Sequence, residues 1–155
     1  MGILTAKIKH LKGILTPPAL KDPVLETKTY FIHGKLKDAG ILTATMERLQ
    51  LDNNYWCCSR NDFLDIVAWD WTDKKKYVLE EYDCDNFAIS FKARMDRRFH
   101  LNNVGVVVDY SGGHVYNVVV FSDGTIELFE PQGDNFVTDQ KGTGYYACRI
   151  GSILI

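Results

Sequence analysis

The sequence predicts an α+β chain in which helices come first and an antiparallel β-sheet follows. Three observations carry this. Phe87, Phe91 and Met95 form an apolar stripe, widened by Ala88 and Ile89, which marks an amphipathic helix opening near Cys84. Val104 to Asp109 and His114 to Phe121 are β-branched runs of strand length. A Ser122-Asp123-Gly124-Thr125 turn then returns the chain along Ile126 to Glu130 as a hairpin partner, and Pro131 stops that strand.

The elements follow in order. Residues 1–42 hold Pro17-Pro18, Pro23 and glycines at Gly2, Gly13, Gly34 and Gly40, which reads as an extended arm with short strands or turns. Thr43 to Leu51 has helix-forming residues with Met46, Leu49 and Leu42 on one face, predicting a short helix that Asp52-Asn53-Asn54 ends. A second helix is expected after Ser59-Arg60-Asn61, with Phe63, Ile66 and Val67 at i, i+3, i+4. Trp56, Trp69 and Trp71 surround it as core or groove wall. Asp83 is placed to cap the third helix, so Cys84 falls in its first turn. Ser111-Gly112-Gly113 is a turn, and Tyr145 to Ile150 is expected to close the sheet.

With 155 residues, 46% hydrophobic and 25% charged, the chain fits one globular core. We expect a single domain over 1–155, divided into the arm (1–42), a helical half (43–100) and a sheet half (101–155). The net charge of -2 gives no overall pull toward nucleic acid or an anionic membrane, although residues 1–50 carry eight Lys/Arg against four Asp/Glu. No apolar run is long enough to span a bilayer and no signal-peptide order is seen, so the expected location is cytoplasmic. Cys57, Cys58, Cys84 and Cys148 are too few and scattered for a disulfide framework. The adjacent Cys57-Cys58 pair lacks metal-knuckle spacing, so no metal and no cofactor are expected. Cys57, Cys58 and Cys148 read as structural, and His10, His33 and His100 as surface or capping residues.

The chemistry-bearing pattern lies at Cys84 and His114. A helix start supplies a positive dipole end and free N–H groups that favour a thiolate and an oxyanion. A His opening a strand after Ser-Gly-Gly is held rigidly with space before it, as a general base needs. An acid must then orient the imidazole. A three-residue Ser-Asp-Gly loop pairs Tyr116 with Glu130 and puts Glu130 on the face of His114, whereas a two-residue loop puts Glu127 there. Asp109 is a less favourable orienting acid, because it precedes a flexible turn. Asp83 and Asp85 flank Cys84 and would raise its pKa unless turned away or paired.

The segment Lys76-Tyr77-Val78-Leu79-Glu80-Glu81-Tyr82-Asp83-Cys84-Asp85-Asn86-Phe87-Ala88 resembles the nucleophile motif of papain-like and transglutaminase-like cysteine peptidases. Gly113-His114-Val115-Tyr116-Asn117 and Phe129-Glu130-Pro131-Gln132 look like the His and Glu motifs of the C-terminal peptidase domain of the Marasmius mushroom agglutinin and its bacterial and phage relatives. The resemblance implies a papain-like fold with the nucleophile helix packed on a C-terminal antiparallel sheet. It also implies a Cys84–His114–Glu130 triad, which selects Glu130 over Glu127. Asn117, Gln132 and Asp83 would support that triad. The implied activity is a cysteine hydrolase, peptidase or amidase, working through a thioester acyl-enzyme on a protein or peptide substrate such as a peptidoglycan peptide, with transfer to an amine open to the same intermediate. The rival expectation is a non-catalytic binding module on the same fold, phage-encoded and engaging a host protein.

Overall fold

The computed structural model describes residues 16–155, so the first fifteen residues of the expected arm, His10 among them, lie outside the described residues. The rest of the arm is more structured than its prolines suggest. Strand β1 (Leu25–Lys28) leads directly into helix α1 (Thr29–Asp38). The arm's three prolines, Pro17, Pro18 and Pro23, all precede β1. Beyond them Ile32 and Leu36, at i, i+4, are fully buried and supply the inward stripe that makes the helix. Lys35 and Lys37 sit in its last turn, where cations suit the dipole, and Gly40 then turns the chain with φ +67°.

The helix expected over 43–51 is instead strand β2 (Met46–Leu49). Met46 is buried and Glu47 exposed, an alternation that serves a sheet face. What decides it is tertiary: β2 runs parallel to strand β8 (Gly151–Leu154), with Met46 opposite Gly151 and Leu49 opposite Leu154. The Thr43 and Thr45 hydroxyls donate to the Arg149 carbonyl, tying this register. Helix propensity is a weak prior that such pairing overrides.

Strand β3 (Asn54–Cys57) pairs antiparallel with β1 as a separate two-stranded ribbon. Helix α2 (Arg60–Trp69) starts where Ser59 Oγ accepts the Asp62 N–H at 3.1 Å. Helix α3 (Cys84–Phe99) ends at His100, whose left-handed φ of 55° makes the C-terminal turn. Strands β4 (Val104–Asp109), β5 (His114–Val120), β6 (Ile126–Glu130) and β7 (Asn135–Phe136) follow. The six-stranded sheet has the order β2-β8-β4-β5-β6-β7. It is therefore mixed, not wholly antiparallel, because β2 joins it in parallel. Residues Gly144–Tyr146 form a 3₁₀ turn, so the closing strand lies later than expected, at 151–154.

The sheet is covered on both faces. Tyr116, Val118 and Val120 of β5 pack with Ile32, Leu36, Met46 and Ile153 on one side. Val119 packs with Phe63, Ile66, Phe91 and Met95 of α2 and α3 on the other. Phe63 anchors this second layer, its ring edge-on to Phe91, Phe121 and Phe129 at 5.1 to 5.8 Å between centroids. The tryptophans stand apart from it: Trp56 and Trp71 are 46% and 53% exposed, so they do not form a shared core. No helix among the described residues is long and apolar enough to cross a membrane.

Candidate functional site

The β5–β6 hairpin takes the three-residue loop. Val120 pairs with Ile126 and Asn117 with Phe129, and the Phe121 N–H donates to the Thr125 carbonyl. Asp123 fixes the loop by accepting the Thr125 N–H at 2.9 Å. This register brings Glu130 to His114, with Nε2 to Oε2 at 2.7 Å. Both side chains are nearly closed to solvent, at 14% and 10% exposed.

Glu130 is fully engaged. Oε1 accepts the Gln132 backbone N–H at 3.1 Å, and Oε2 accepts the Tyr146 hydroxyl at 3.0 Å as well as His114. Burial alone would push this carboxyl up, but the hydrogen bonds from His114, Gln132 and Tyr146 hold it below its ordinary range. With Glu130 ionised, His114 Nε2 carries the hydrogen, and a neutral ring presents Nδ1 as an acceptor. Tyr145 and Tyr146 flank the imidazole, each with its ring centroid 5.6 Å away, and Tyr145 is 66% exposed. Against Tyr146 lies a recess of about 180 Å³ lined by Asn135, Phe136, Thr138, Gln140 and Tyr146.

Cys84 opens α3 beside β5, with the Val115 N–H placed to favour its thiolate. Partial burial raises its pKa, and the Asp83 and Asp85 charges add to the rise. The two carboxyls act on each other, which lowers Asp83 and raises Asp85. Asp83 caps α3, accepts the Glu80 N–H, and has its own N–H taken by Asn86 Oδ1 at 3.0 Å. Among the described residues no hydrogen bond joins the Cys84 sulfur to His114. His114 shares the face of Tyr116, while Asn117 lies on the α3 face and donates to the Ala88 and Gly105 carbonyls at 3.0 Å. Asn117 thus ties helix to sheet, and Gln132 acts through its backbone.

Asp109 belongs to a different network. It is buried and accepts from the Ser111 hydroxyl, the Gly112 N–H, the Tyr116 hydroxyl and the Cys148 N–H. Burial opposes its charge, but these donors win and hold its pKa below the usual value. The Gly112 turn also packs tightly: a Cβ there would sit 2.4 Å from the Tyr145 carbonyl oxygen. Asp109 and Gly112 therefore fix the turn that carries His114 and the loop that carries Tyr145. Sequence reasoning missed Tyr145 and Tyr146, which sit in an irregular turn without periodicity. Cys57 and Cys58 are buried, and burial pushes their thiols up to about 11 and about 12. No group of three or more His, Cys, Asp or Glu among the described residues is arranged to hold a metal ion.

The family model of the ricin-type β-trefoil lectin C-terminal domain matches residues 37–148, well over half of the chain. The chain belongs to this family. This lectin C-terminal domain is similar to the solved structure titled "PSL1a-E64 complex", with a TM-score of 0.67 and 20% identity over 84% of this chain and 51% of that one. It is also similar to Polyporus squamosus lectin bound to the human-type influenza-binding epitope Neu5Acα2-6Galβ1-4GlcNAc, with a TM-score of 0.65 and 20% identity over 84% and 50% of the two chains. The lectin C-terminal domain spans about half the length of these solved chains. Comparison with curated proteins gives no match.

The family match corrects the expectations drawn from the three motifs. The peptidase family and the papain-like fold give way to the lectin C-terminal domain and its sheet. The cysteine hydrolase, its thioester acyl-enzyme and its peptide substrate fall with the resemblance that implied them. The physical reason is local. A helix start at Cys84 and a hairpin joining His114 to Glu130 are short structures that different families build, and function belongs to the site and not to such elements.

Proposed function

We propose that this domain is the binding module of a lectin and that it takes a glycan in the cleft formed by His114, Glu130, Tyr145 and Tyr146, with Cys84 at its border. The observation that carries the reading is the continuity of the His114–Glu130 pair, through the Tyr146 ring, with the polar recess of Asn135, Thr138 and Gln140. A sugar presents hydroxyls that both donate and accept, together with apolar C–H faces. The cleft offers the edge of the imidazole that Glu130 holds and the amides of the recess for the first, and the exposed Tyr145 ring for the second. The recess beside Tyr146, at about 180 Å³, is below the ~300 Å³ of a drug-sized pocket and suits one sugar ring. The glycan bound in the Polyporus squamosus lectin structure supports the ligand class. Residues 16–155 would act here as one domain, with Asp83 holding the helix start, Gln132 holding Glu130, and Asn117 holding α3 on the sheet.

Glycan-array binding followed by titration calorimetry with the best neutral galactoside tests this. His114→Ala and Tyr145→Ala are each expected to weaken binding at least tenfold. Wild-type affinity in both variants would overturn the site. Cleavage of a peptide library, together with labelling by a thiol-directed probe, both lost in Cys84→Ala, would overturn the binding reading itself.

A further inference from the structure

A second polar groove lies on the outer side of α3. It has a volume of about 550 Å³ and is lined by Trp69, Ser90, Ala93, Arg94, Arg97 and Arg98. Ser90, Arg94, Arg97 and Arg98 recur at helical spacing and share one face, with the small Ala93 leaving room between them. Arg94 is anchored: its Nε lies 2.7 Å from an oxygen of the fully buried Asp70 side chain, and its guanidinium lies 5.8 Å from the Trp69 ring centroid. Its Nη groups find no protein acceptor among the described residues. Arg97 and Arg98 are exposed and have no carboxylate within 4.0 Å among the described residues. The Trp69 indole N–H is closed to solvent and has no acceptor.

We infer that this groove binds a saccharide carrying more than one sulfate or carboxylate group. A guanidinium fork pairs with two oxygens of such a group, and three forks span only about 6 Å along the helix. That density matches a ligand with several anionic groups close together. Ser90, whose oxygen accepts the Tyr82 hydroxyl at 3.2 Å, keeps its own O–H to donate to a sugar oxygen. A nucleic acid would call for a basic stripe across the surface, whereas the net charge is -2 and these cations are confined to one short groove. The groove stands without the His114 cleft, because Arg97 lies about 20 Å along α3 from Cys84.

The test is calorimetric titration of the full chain at physiological salt with a heparin-derived sulfated tetrasaccharide, its desulfated counterpart, and a single-stranded oligonucleotide of equal charge. The sulfated sugar is expected to bind, the desulfated one at least tenfold more weakly. The double variant Arg97→Gln/Arg98→Gln should lose at least tenfold. Ser90→Ala, which removes the hydroxyl that faces the groove, should lose about threefold. Equal affinity of the double variant, of the desulfated sugar or of the oligonucleotide would overturn the inference. Neutral galactoside binding at the His114 cleft, measured on the same variants, should stay at the wild-type level, so that failure of one site reads separately from failure of the other.

Discussion

The His114 cleft and the arginine groove treat charge in opposite ways. In the cleft the ionised Glu130 is buried and each of its oxygens has a protein donor, and the neighbouring Asp109 has four. In the groove Arg97 and Arg98 are exposed and lack acidic partners among the described residues, and Trp69 keeps an unpaired N–H. A buried charge tolerates no missing donor, so the cleft is also part of the fold's stability. A solvated cation tolerates a missing partner at little cost, so the groove is free to wait for one.

That contrast is broken most directly at Asp109. Asp109→Ala leaves two backbone N–H groups and two hydroxyls without their acceptor, and we expect a loss of about 3–5 kcal/mol in urea denaturation. A loss under about 1 kcal/mol would mean that the network does not stabilise the fold. Acid acts on the same groups. Glu130 and Asp109 both have folded pKa values below their ordinary 4.5 and 3.8. Their stabilisation is complete above those ordinary values and disappears as pH falls through the lower folded ones, because the unfolded chain binds more protons there. Denaturation midpoints between pH 7 and pH 2.5 should therefore fall below about pH 4.5, and less steeply in Glu130→Gln. Tyr146→Phe removes one donor from Glu130 and should cost about 1–2 kcal/mol. Smallest of all, Arg97→Gln/Arg98→Gln should leave the midpoint within about 0.5 kcal/mol of wild type.

Legibility in the sequence followed the range of the interactions. The start of α3 and the β5–β6 hairpin are built from near neighbours, a capping Asp83 and an Asp123-Gly124 turn, and their periodicity is strong. Strand β2 was hidden because the partner that makes it a strand lies about a hundred residues downstream. Tyr145 and Tyr146 were hidden because a 3₁₀ turn carries no pattern, and Asp109 looked like a loop acid because its donors come from residues as distant as Cys148. The function was misread for a related reason. Cys84, His114 and Glu130 have the types and order of a triad, and the hairpin does bring His114 to Glu130 at 2.7 Å, but short motifs of this kind recur in different families, and the longer match decides the family.

The parallel pairing of β2 with β8 also has a consequence for synthesis. At about 5–20 residues per second a ribosome needs roughly 5–20 s to make the hundred residues between the two strands. Throughout that interval β2 is a nascent edge without a partner, next to the exposed Leu49 and Leu51. Until Gly151–Leu154 arrives to fill the gap between β2 and β4, this edge is where the growing chain is most open to capture by another copy of itself or by a chaperone.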